Sequence, residues 1–416
     1  MFINSNPRLE AISADQREPQ NIQRFRIPFI GQLRRRTPLG WLQLSHEKGR
    51  LTVALAGIAF ADILIFMQLG FQASLYDSNT QIRKTLATDV VLVSPKAKNT
   101  QNLSTFARRR LYQTLDVPGV ATATPLYSNT VNWKNPQTRQ DASIQVMGFD
   151  PDLPAFNLPE LNAQLDQVKL PDVVLFDRRS RGSYDETIAA LDSGQTITTE
   201  AEGRTLEVRG AFSLGASFGT DGILMTSDQN FLRLFPRRGA GSVSLGLINL
   251  EPGADPDGVV AALRQTLPED VEVFTIADFI AEEERYWQTE SPIGFIFTLG
   301  AMMAFVVGVV IVYQVLSTDV NAHLKEYATF KAMGYHQRYL LGIIFEEAII
   351  LAVLGFIPGV TLPIGLYHLA AQATSLPIRM TIHRAAVVLG MTLVMCLMSG
   401  AIATRKLQAA DPADMF

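Results

Sequence analysis

"IGFIFTLGAMMAFVVGVVIVYQVL", from Ile293 to Leu316, contains no acidic or basic residue and is long enough to cross a hydrocarbon core of about 30 Å as one helix. Three more stretches are nearly free of charge, at residues 51–75, 339–367 and 385–403. We number the four stretches spans 1 to 4 in chain order, so that Ile293–Leu316 is span 2. The rest of the sequence has the ordinary polar balance of a water-exposed domain. The pattern predicts an α-helical membrane protein with four transmembrane helices and one large α+β domain between spans 1 and 2.

The basic residues near the spans predict the orientation of the chain, because cytoplasmic loops carry an excess of Lys and Arg. Such residues precede span 1, occupy the loop between spans 2 and 3, and follow span 4. We therefore expect both termini and residues 317–338 to be cytoplasmic, and the domain of residues 76–290 to lie outside. The residues concerned are Arg34, Arg35, Arg36, Lys48, Arg50, Lys325, Lys331, Arg338, Arg405 and Lys406.

Residues 1–50 are predicted to form a cytoplasmic N-terminal segment, and residues 404–416 a cytoplasmic tail. Within the first, "TPLGWLQLSHEK" (Thr37–Lys48) favours a helix at the membrane interface with Trp41 at its boundary. A plain linker explains this pattern equally well. The single cysteine, Cys396 in span 4, excludes disulfides within the chain. The net charge of −4 and the lack of a basic patch exclude nucleic acid as a partner class.

The domain between spans 1 and 2 alternates short β-branched runs with amphipathic segments, which predicts mixed strands and helices. From Ile276 an acidic helix, "ADFIAEEERYWQTE", leads back to the membrane. We expect its Glu282 to Glu284 on a solvated face, and Tyr286 and Trp287 in an aromatic belt. The predicted strands are Asp89–Ser94, Ala142–Phe149, Thr205–Phe212, Gly222–Thr226 and Val243–Leu250, and the other predicted helices are Leu103–Leu115, Asp228–Phe235 and Asp255–Leu267.

One motif in the domain invites a catalytic interpretation. "GASFG" (Gly215–Gly219) matches the G-x-S-x-G pattern with Ser217 as nucleophile, which requires a strand, a sharp turn, a helix and a histidine in reach. The following "TDGILM" predicts another strand, and residues 76–290 contain no histidine. The same domain lacks cysteine, so it has no usual zinc ligands, and the chain has no P-loop motif for nucleotide phosphates. We therefore predict no catalytic residue, no metal site and no cofactor in this chain. A membrane-anchored hydrolase using Ser217 is the alternative.

Polar and small residues inside the spans indicate contacts between helices. Asp62 lies near the middle of span 1, where a charge costs on the order of 3 kcal/mol, so we expect a polar contact to another helix, in this chain or in a second copy. Glu346 and Glu347, near the start of span 3, fit either helix packing or solvation at the interface. Small residues at four-residue spacing predict a tight pair of spans 1 and 2, a candidate dimer axis. These residues are Gly57, Ala61, Gly300, Ala304 and Gly308.

The loop between spans 2 and 3 is predicted to contain a short amphipathic helix. "HLKEYATFKAMGYHQRYL" (His323–Leu340) spaces its apolar residues by threes and fours. Gly334 is expected to end this helix in a left-handed conformation, so that the chain turns back into span 3.

The layout resembles the FtsX/MacB-type permeases of ABC transporters, which have one span, a large external domain, three more spans and an amphipathic helix between spans 2 and 3. The local similarity is best at "KEYATFKAMG" (Lys325–Gly334), which matches the family pattern basic-E-x-G-x-x-[KR]-A-[LM]-G, with Ala328 where glycine is usual. "EEAIILAVLGFIPG" (Glu346–Gly359) is similar to the family's entry to span 3 through Glu347. Span 1, in "LAGIAFADILIFMQLGFQASLYDS" (Leu55–Ser78), is most similar to the DevC group of cyanobacterial exporters, whose permease is separate from its ATPase.

The resemblance implies a non-catalytic membrane subunit of an exporter in the bacterial inner membrane. Such permeases form homodimers surrounded by membrane lipid and bind a cytoplasmic ABC ATPase, which holds ATP and Mg²⁺. They relay its movement to a periplasmic membrane-fusion adaptor and a TolC-like outer-membrane duct, with glycolipid as one cargo class of DevC-type systems.

The resemblance also implies that the helix between spans 2 and 3 is a coupling helix, whose apolar stripe of Tyr327, Phe330 and Met333 docks on the ATPase. The full set of expected ATPase-coupling residues is Leu324, Lys325, Glu326, Tyr327, Phe330, Lys331, Met333 and Gly334. A simple interfacial anchor is the alternative for this helix. For the whole chain, the alternative is an FtsX-like mechanotransmitter that activates a periplasmic cell-wall hydrolase.

Overall fold

A computed structural model describes residues 39–409 of the chain. The N-terminal residues 1–38, with Arg34, Arg35 and Arg36, and the last residues of the tail, 410–416, lie outside the described residues. The helices are α1 (Leu39–His46), α2 (Lys48–Thr85), α3 (Arg109–Gln113), α4 (Pro159–Asn162), α5 (Asp185–Asp192), α6 (Asp228–Leu234), α7 (Pro256–Thr266), α8 (Ile276–Arg285), α9 (Pro292–Ala322), α10 (Leu324–Ala332), α11 (Gln337–Thr374) and α12 (Ile382–Ala409).

Four of these helices, α2, α9, α11 and α12, are long and apolar enough to cross a membrane. Each contains one predicted span, in order, and extends beyond it. They pack as one bundle in which α2 and α12 each contact both α9 and α11. Helix α2 has 38 residues, so at 1.5 Å per residue it is about 57 Å long, nearly twice the hydrocarbon thickness. It therefore continues out of the bundle and into the domain.

The domain between α2 and α9 is built on a nine-stranded sheet. The strands of the domain are β1 (Val90–Val93), β2 (Phe106–Ala107), β3 (Val120–Lys134), β4 (Asp141–Phe149), β5 (Val173–Asp177), β6 (Ile197–Ala201), β7 (Arg204–Phe212), β8 (Gly222–Ser227), β9 (Ser242–Val243), β10 (Leu245–Leu250) and β11 (Glu272–Thr275). Strands β2 and β9 form a separate two-stranded sheet, and the other nine form the large sheet. The order is β11-β1-β10-β3-β4-β8-β5-β7-β6, with β4–β8 and β5–β7 parallel and the other neighbours antiparallel. A bridge between Trp133 and Ala201 joins β3 to β6 and closes six strands into a ring.

The two faces of this sheet bury separate hydrophobic cores. One core contains Trp133 and Phe176, whose ring centroids are 6.0 Å apart. The other contains Phe149 together with Ile82 from the end of α2 and Phe279 from α8. The extension of α2 and the helix that leads into α9 are therefore packed on the same face of the sheet.

The predicted strands are all present, as β1, β4, β7, β8 and the β9–β10 segment. Helices α6 and α7 also lie where the sequence places them, and the side chain of Asp255 caps α7 by accepting a hydrogen bond from the Gly258 N–H. The predicted helix Leu103–Leu115 is wrong in its first half, because Phe106 and Ala107 pair with β9 and the helical part begins at Arg109, as an α-helix that continues into a 3-10 turn at Thr114–Asp116.

Candidate functional site

Helix α10, in the loop between α9 and α11, has one face turned toward the bundle and one exposed face. Tyr327 and Ala328 are buried, and Tyr327 packs with Val320 of α9 and Ile344 of α11. Assigning Tyr327 to a surface for the ATPase is therefore wrong, because its side chain is 1% exposed. Leu324 and Phe330 are half-buried against the same cluster. Of the predicted apolar stripe, only Met333 is exposed.

The exposed face of α10 carries Lys325, Glu326 and Lys331 beside Met333. Within residues 39–409, none of these three charged side chains forms an ion pair. Charged groups that are free and exposed on a helix face suit a partner surface, where they govern register more than affinity.

The end of α10 is joined to α11 by a tight cap. Gly334 has φ = +91°, as predicted, in the left-handed region that favours glycine. The Gly334 N–H donates to the Lys331 carbonyl and the Tyr335 N–H to the Phe330 carbonyl, each at 3.1 Å, which is the Schellman pattern. The Phe330 and Tyr335 rings pack edge to face with centroids 5.5 Å apart. The ring centroids of Tyr335 and Tyr339, the latter on α11, are 5.0 Å apart. These contacts fix the orientation of α10 relative to α11.

The predicted small residues lie between α2 and α9 of the same chain. An added Cβ at Gly57 would lie 2.5 Å from Ile311, and one at Gly308 would lie 2.9 Å from the Ala61 side chain. An added Cβ at Gly300 would likewise lie 2.6 Å from the Gln68 side chain of α2, and Ala304 is buried. These residues bring α2 and α9 together within one chain, and they do not form an exposed stripe for a second copy.

Asp62 lies at the centre of the bundle with no exposed surface. The Thr392 hydroxyl of α12 donates to Asp62 Oδ1 at 2.7 Å, while Oδ2 has no hydrogen-bond partner among the described residues. On α11, an added Cβ at Gly359 would lie 2.7 Å from that Oδ2 atom. Asp62 therefore contacts two other helices of its own chain.

The two glutamates at the start of span 3 differ in their surroundings. Glu346 is half-buried, whereas Glu347 has no exposed surface. The Glu347 carboxyl meets the carboxyl group of Asp319 on α9. Solvation at the interface therefore does not describe Glu347, which points into the bundle.

At the other end of the bundle, a buried ion pair joins α2 to α8. Arg83 pairs with Glu283, and its guanidinium also donates to the Phe279 carbonyl and lies over the Phe279 ring. The Thr100 N–H and hydroxyl each donate to Glu283 Oε2 at 3.0 Å, and Trp287 Nε1 donates to Oε1 at 2.8 Å. We call this group the stalk clamp: Arg83, Thr100, Phe279, Glu283 and Trp287.

The stalk clamp overturns two expectations for the acidic helix. Glu283 is fully buried instead of solvated, and Trp287 is buried beside it instead of lying in an aromatic belt. Burial raises the pKa of Glu283, while Arg83, Trp287 and Thr100 oppose that rise by stabilising the carboxylate. A signal for this was present, because Phe279, Glu283 and Trp287 recur every four residues and so share one helix stripe. A carboxylate within an otherwise apolar stripe indicates a buried partner.

The "GASFG" motif lies where the domain meets the bundle. Ser217 is buried, and its hydroxyl accepts hydrogen bonds from the Gly219 and Thr220 N–H groups. A strand, β8, follows it, so the strand–turn–helix of a nucleophile elbow is not formed. Instead, Arg181 donates to the Ser217 carbonyl and to the Thr374 carbonyl at the end of α11, each at 3.0 Å.

Two further contacts hold this loop against the membrane helices. Phe218 packs on Phe297 of α9 with ring centroids 6.5 Å apart. The Gln81 side chain of α2 donates to the Leu214 carbonyl at the start of the loop. We call Leu214–Thr220 the contact loop, because it touches α2, α9 and, through Arg181, α11.

Comparison with known families gives two matches that together cover most of the chain. Residues 298–412 match the FtsX-like permease C-terminal family, and residues 51–266, more than half of the 416 residues, match the MacB-like periplasmic core domain. The chain belongs to the FtsX/MacB family. It is thus an ABC-type permease with a periplasmic domain, of a family whose members work with ABC ATPase partners.

Among solved structures, this FtsX/MacB-type permease is similar to the periplasmic region of MacB from Actinobacillus actinomycetemcomitans. The identity is 12%, 48% of this chain and 93% of that chain are covered, and the TM-score is 0.34. It is also similar to the extracellular domain of the noncanonic ABC-type transporter YknZ from Gram-positive bacteria, at 12% identity, with 45% and 100% covered and a TM-score of 0.30. No curated protein sequence matches the permease.

Proposed function

We propose that this permease is the membrane subunit of a DevC-like exporter, and that α10 is its coupling helix for a separate cytoplasmic ATPase. The observation that carries the proposal is the joint between α10 and α11. The Schellman cap at Gly334 and the Phe330–Tyr335 contact make a rigid connection, while Glu326, Lys331 and Met333 stay exposed. A force on the exposed face of α10 is therefore passed to α11 instead of bending the loop.

The contacts at the far end of the bundle give this movement a path into the periplasmic domain. Helix α11 ends at Thr374, whose carbonyl is bonded to Arg181 beside the contact loop. Helix α2 continues into the domain, where Arg83 of the stalk clamp ties it to α8. We infer that ATP-driven displacement of α10 shifts the domain through these two connections.

We propose that the permease acts as a homodimer with its termini in the cytoplasm, and that the periplasmic domain engages a membrane-fusion adaptor and a TolC-like duct. Glycolipid is the proposed cargo class, which rests on the similarity of span 1 to the DevC group. The size of the periplasmic domain and its direct ties to three membrane helices support a mechanism in which the output is mechanical and periplasmic.

Affinity purification of the tagged permease from its native membrane tests this proposal. Recovery of an ABC ATPase together with an adaptor and an outer-membrane duct is the expected result. Recovery of the ATPase with a peptidoglycan hydrolase, and without an adaptor, would instead favour the FtsX-like mechanotransmitter. Recovery of no ATPase from cross-linked membranes would contradict both.

A further inference from the structure

A cavity of about 390 Å³ lies at the end of the bundle that carries α10, between α1, α2, α9 and α11. Leu44, Ala54 and Val315 contribute to its apolar walls, and Asp319 and Glu347 lie at one side. Helix α1 packs closely on α11 here, since an added Cβ at Gly40 would lie 3.2 Å from the Glu347 backbone nitrogen. The volume is within the range of small-ligand sites.

The acidic side of this cavity lacks hydrogen-bond donors. Glu347 is fully buried, and within residues 39–409 neither of its carboxyl oxygens has a hydrogen-bond partner. Asp319 is 7% exposed, and its Oδ2 atom is also unpartnered in that part of the chain. The nearest cationic candidate is His323, whose Nδ1 lies 3.6 Å from Asp319 Oδ1, beyond hydrogen-bond distance. The carboxyl groups of Asp319 and Glu347 therefore meet at this side of the cavity, and among the described residues no cationic group lies within hydrogen-bond distance of either.

The chemistry that satisfies this arrangement is an ammonium group. A buried carboxylate is costly unless it meets both charge and hydrogen-bond donors. A primary ammonium brings one positive charge and three donors, enough to bond both carboxyl groups at once.

The other walls of the cavity favour an amphiphile over a free amine. Val53 lines the cavity and is 65% exposed on the outer side of α2, so the cavity opens toward the position of the lipid. Arg50 also lines it, with a side chain that is 45% exposed and a guanidinium bonded to Glu47 at 2.6 Å. The guanidinium of a half-exposed arginine suits a phosphate, which can accept two parallel hydrogen bonds.

We propose that this cavity binds the head group of an aminophospholipid, with the ammonium between Asp319 and Glu347 and the phosphate at Arg50. The site is independent of the proposed exporter function, because it requires only a bilayer and the residues around the cavity. A bound head group bridges α1, α9 and α11 beside the joint of the coupling helix.

Lipid binding is measured by native mass spectrometry of the full-length permease in nanodiscs of phosphatidylcholine with phosphatidylethanolamine or phosphatidylglycerol. We expect retained phosphatidylethanolamine on the wild type, and about tenfold or more weaker retention in Glu347→Gln, because a charged hydrogen bond is lost. Gly49→Leu is the second variant. It adds a side chain at a cavity position where a Cβ meets nothing within 4 Å, so it obstructs the cavity without strain.

Glu346→Gln is the matched control, since Glu346 is adjacent in sequence and does not line the cavity. It is expected to retain phosphatidylethanolamine like the wild type. Wild-type retention in both Glu347→Gln and Gly49→Leu would overturn the site. Equal retention of phosphatidylglycerol, which lacks an amine, would overturn the ammonium assignment. Thermal stabilisation by free ethanolamine without retention of phosphatidylethanolamine would overturn the lipid assignment.

Discussion

Arg83 and Glu283 form a fully buried ion pair between the extension of α2 and the helix that leads into α9. Their neighbours Lys84 and Glu284 form a second pair with 3.7 Å between Nζ and Oε1, and both of those side chains are more than two-fifths exposed. Two ion pairs therefore connect the same two helices, one in the core and one in solvent. The difference between them allows a matched test of the stalk clamp.

The first prediction is that the buried pair dominates the stability of this connection. Arg83→Met leaves an uncompensated carboxyl group inside the domain, so the free energy of unfolding should fall by about 3–5 kcal/mol. Lys84→Met is the control and should cost about 0–1 kcal/mol, because solvent screens the exposed pair. Thermal or denaturant unfolding of the purified full-length variants measures both. Equal losses in the two variants would contradict a special role of the clamp.

The clamp also predicts a pH dependence. Burial already raises the pKa of Glu283, and Arg83→Met removes the main charge that opposes the rise. In that variant the folded state binds a proton that the unfolded state releases at neutral pH, so stability should fall as pH rises above the ordinary carboxyl range. Unfolding measured from about pH 5 to about pH 8 should show this slope in Arg83→Met. The double variant Arg83→Met with Glu283→Gln should lack it.

The second prediction concerns the exposed face of α10. Glu326→Arg and Met333→Asp should leave insertion and folding unchanged but reduce co-purification of the ATPase, or its stimulated ATP turnover, by about tenfold, as expected for interface residues worth more than 1 kcal/mol. Glu269→Arg, an exposed charge reversal in the periplasmic domain, is the control. Wild-type coupling in both α10 variants would leave α10 as an interfacial anchor only.

The third prediction tests the joint between α10 and α11. Gly334→Val places a β-branched residue at φ = +91°, which costs on the order of 1–3 kcal/mol and misdirects the entry to α11. We expect this variant to lose ATPase coupling more completely than Glu326→Arg. Gly342→Ala is the control, because Gly342 lies inside α11 and an added Cβ there meets nothing within 4 Å. It should be neutral or slightly stabilising; a similar coupling loss in it would remove the argument for Gly334.

The fourth prediction concerns Asp62. Asp62→Asn keeps the shape and the contact with Thr392, so the folded bundle should persist, whereas Asp62→Leu should destabilise it. Gly359→Ala should also destabilise, by about 1–3 kcal/mol, because its Cβ would overlap the Asp62 carboxyl group. Gly365→Ala on the same helix meets no atom within 4 Å and is the control. Thermal stability in detergent separates the four variants, and a normal melting temperature for Asp62→Leu would refute the packing role.

The fifth prediction is the orientation of the chain. In a Cys396→Ala background, Gln195→Cys should react with an impermeant thiol reagent from the periplasmic side, and Gln337→Cys should react only after the inner membrane is opened. Both positions are exposed, so differences in labelling report on side and not on burial. Labelling of both sites in cells with an intact inner membrane would contradict cytoplasmic termini.

The four apolar helices and most strands could be predicted from sequence because their signals are local. A long run without charged residues indicates a membrane-spanning helix, and an alternating run rich in β-branched residues indicates a strand. The longest strand, β3, was not predicted, since Pro125 and several Thr and Asn residues weaken its local signal. It is a strand because it pairs with both β10 and β4, and such pairing depends on residues distant in sequence.

For the candidate site, sequence indicated which residues share a helix stripe but not what the stripe packs against. Gly334 could be predicted because a left-handed cap is a backbone property of one residue. Tyr327 could not, since its stripe packs on α9 and α11 of the same chain. Arg83 and Glu283 are separated in sequence by most of the domain, and the fold of the sheet brings α2 and α8 together. Their pairing therefore could not be predicted from the sequence.

The uninterrupted length of α2 makes it a lever. Its 38 residues continue without a break from the end of the bundle near α10 to the stalk clamp. A helix resists bending far more than a loop does, so a tilt of about 10° at one end displaces the other, about 57 Å away, by about 10 Å. In the mechanism proposed above, a small rocking of the bundle would thereby be amplified into a sideways displacement of the periplasmic domain.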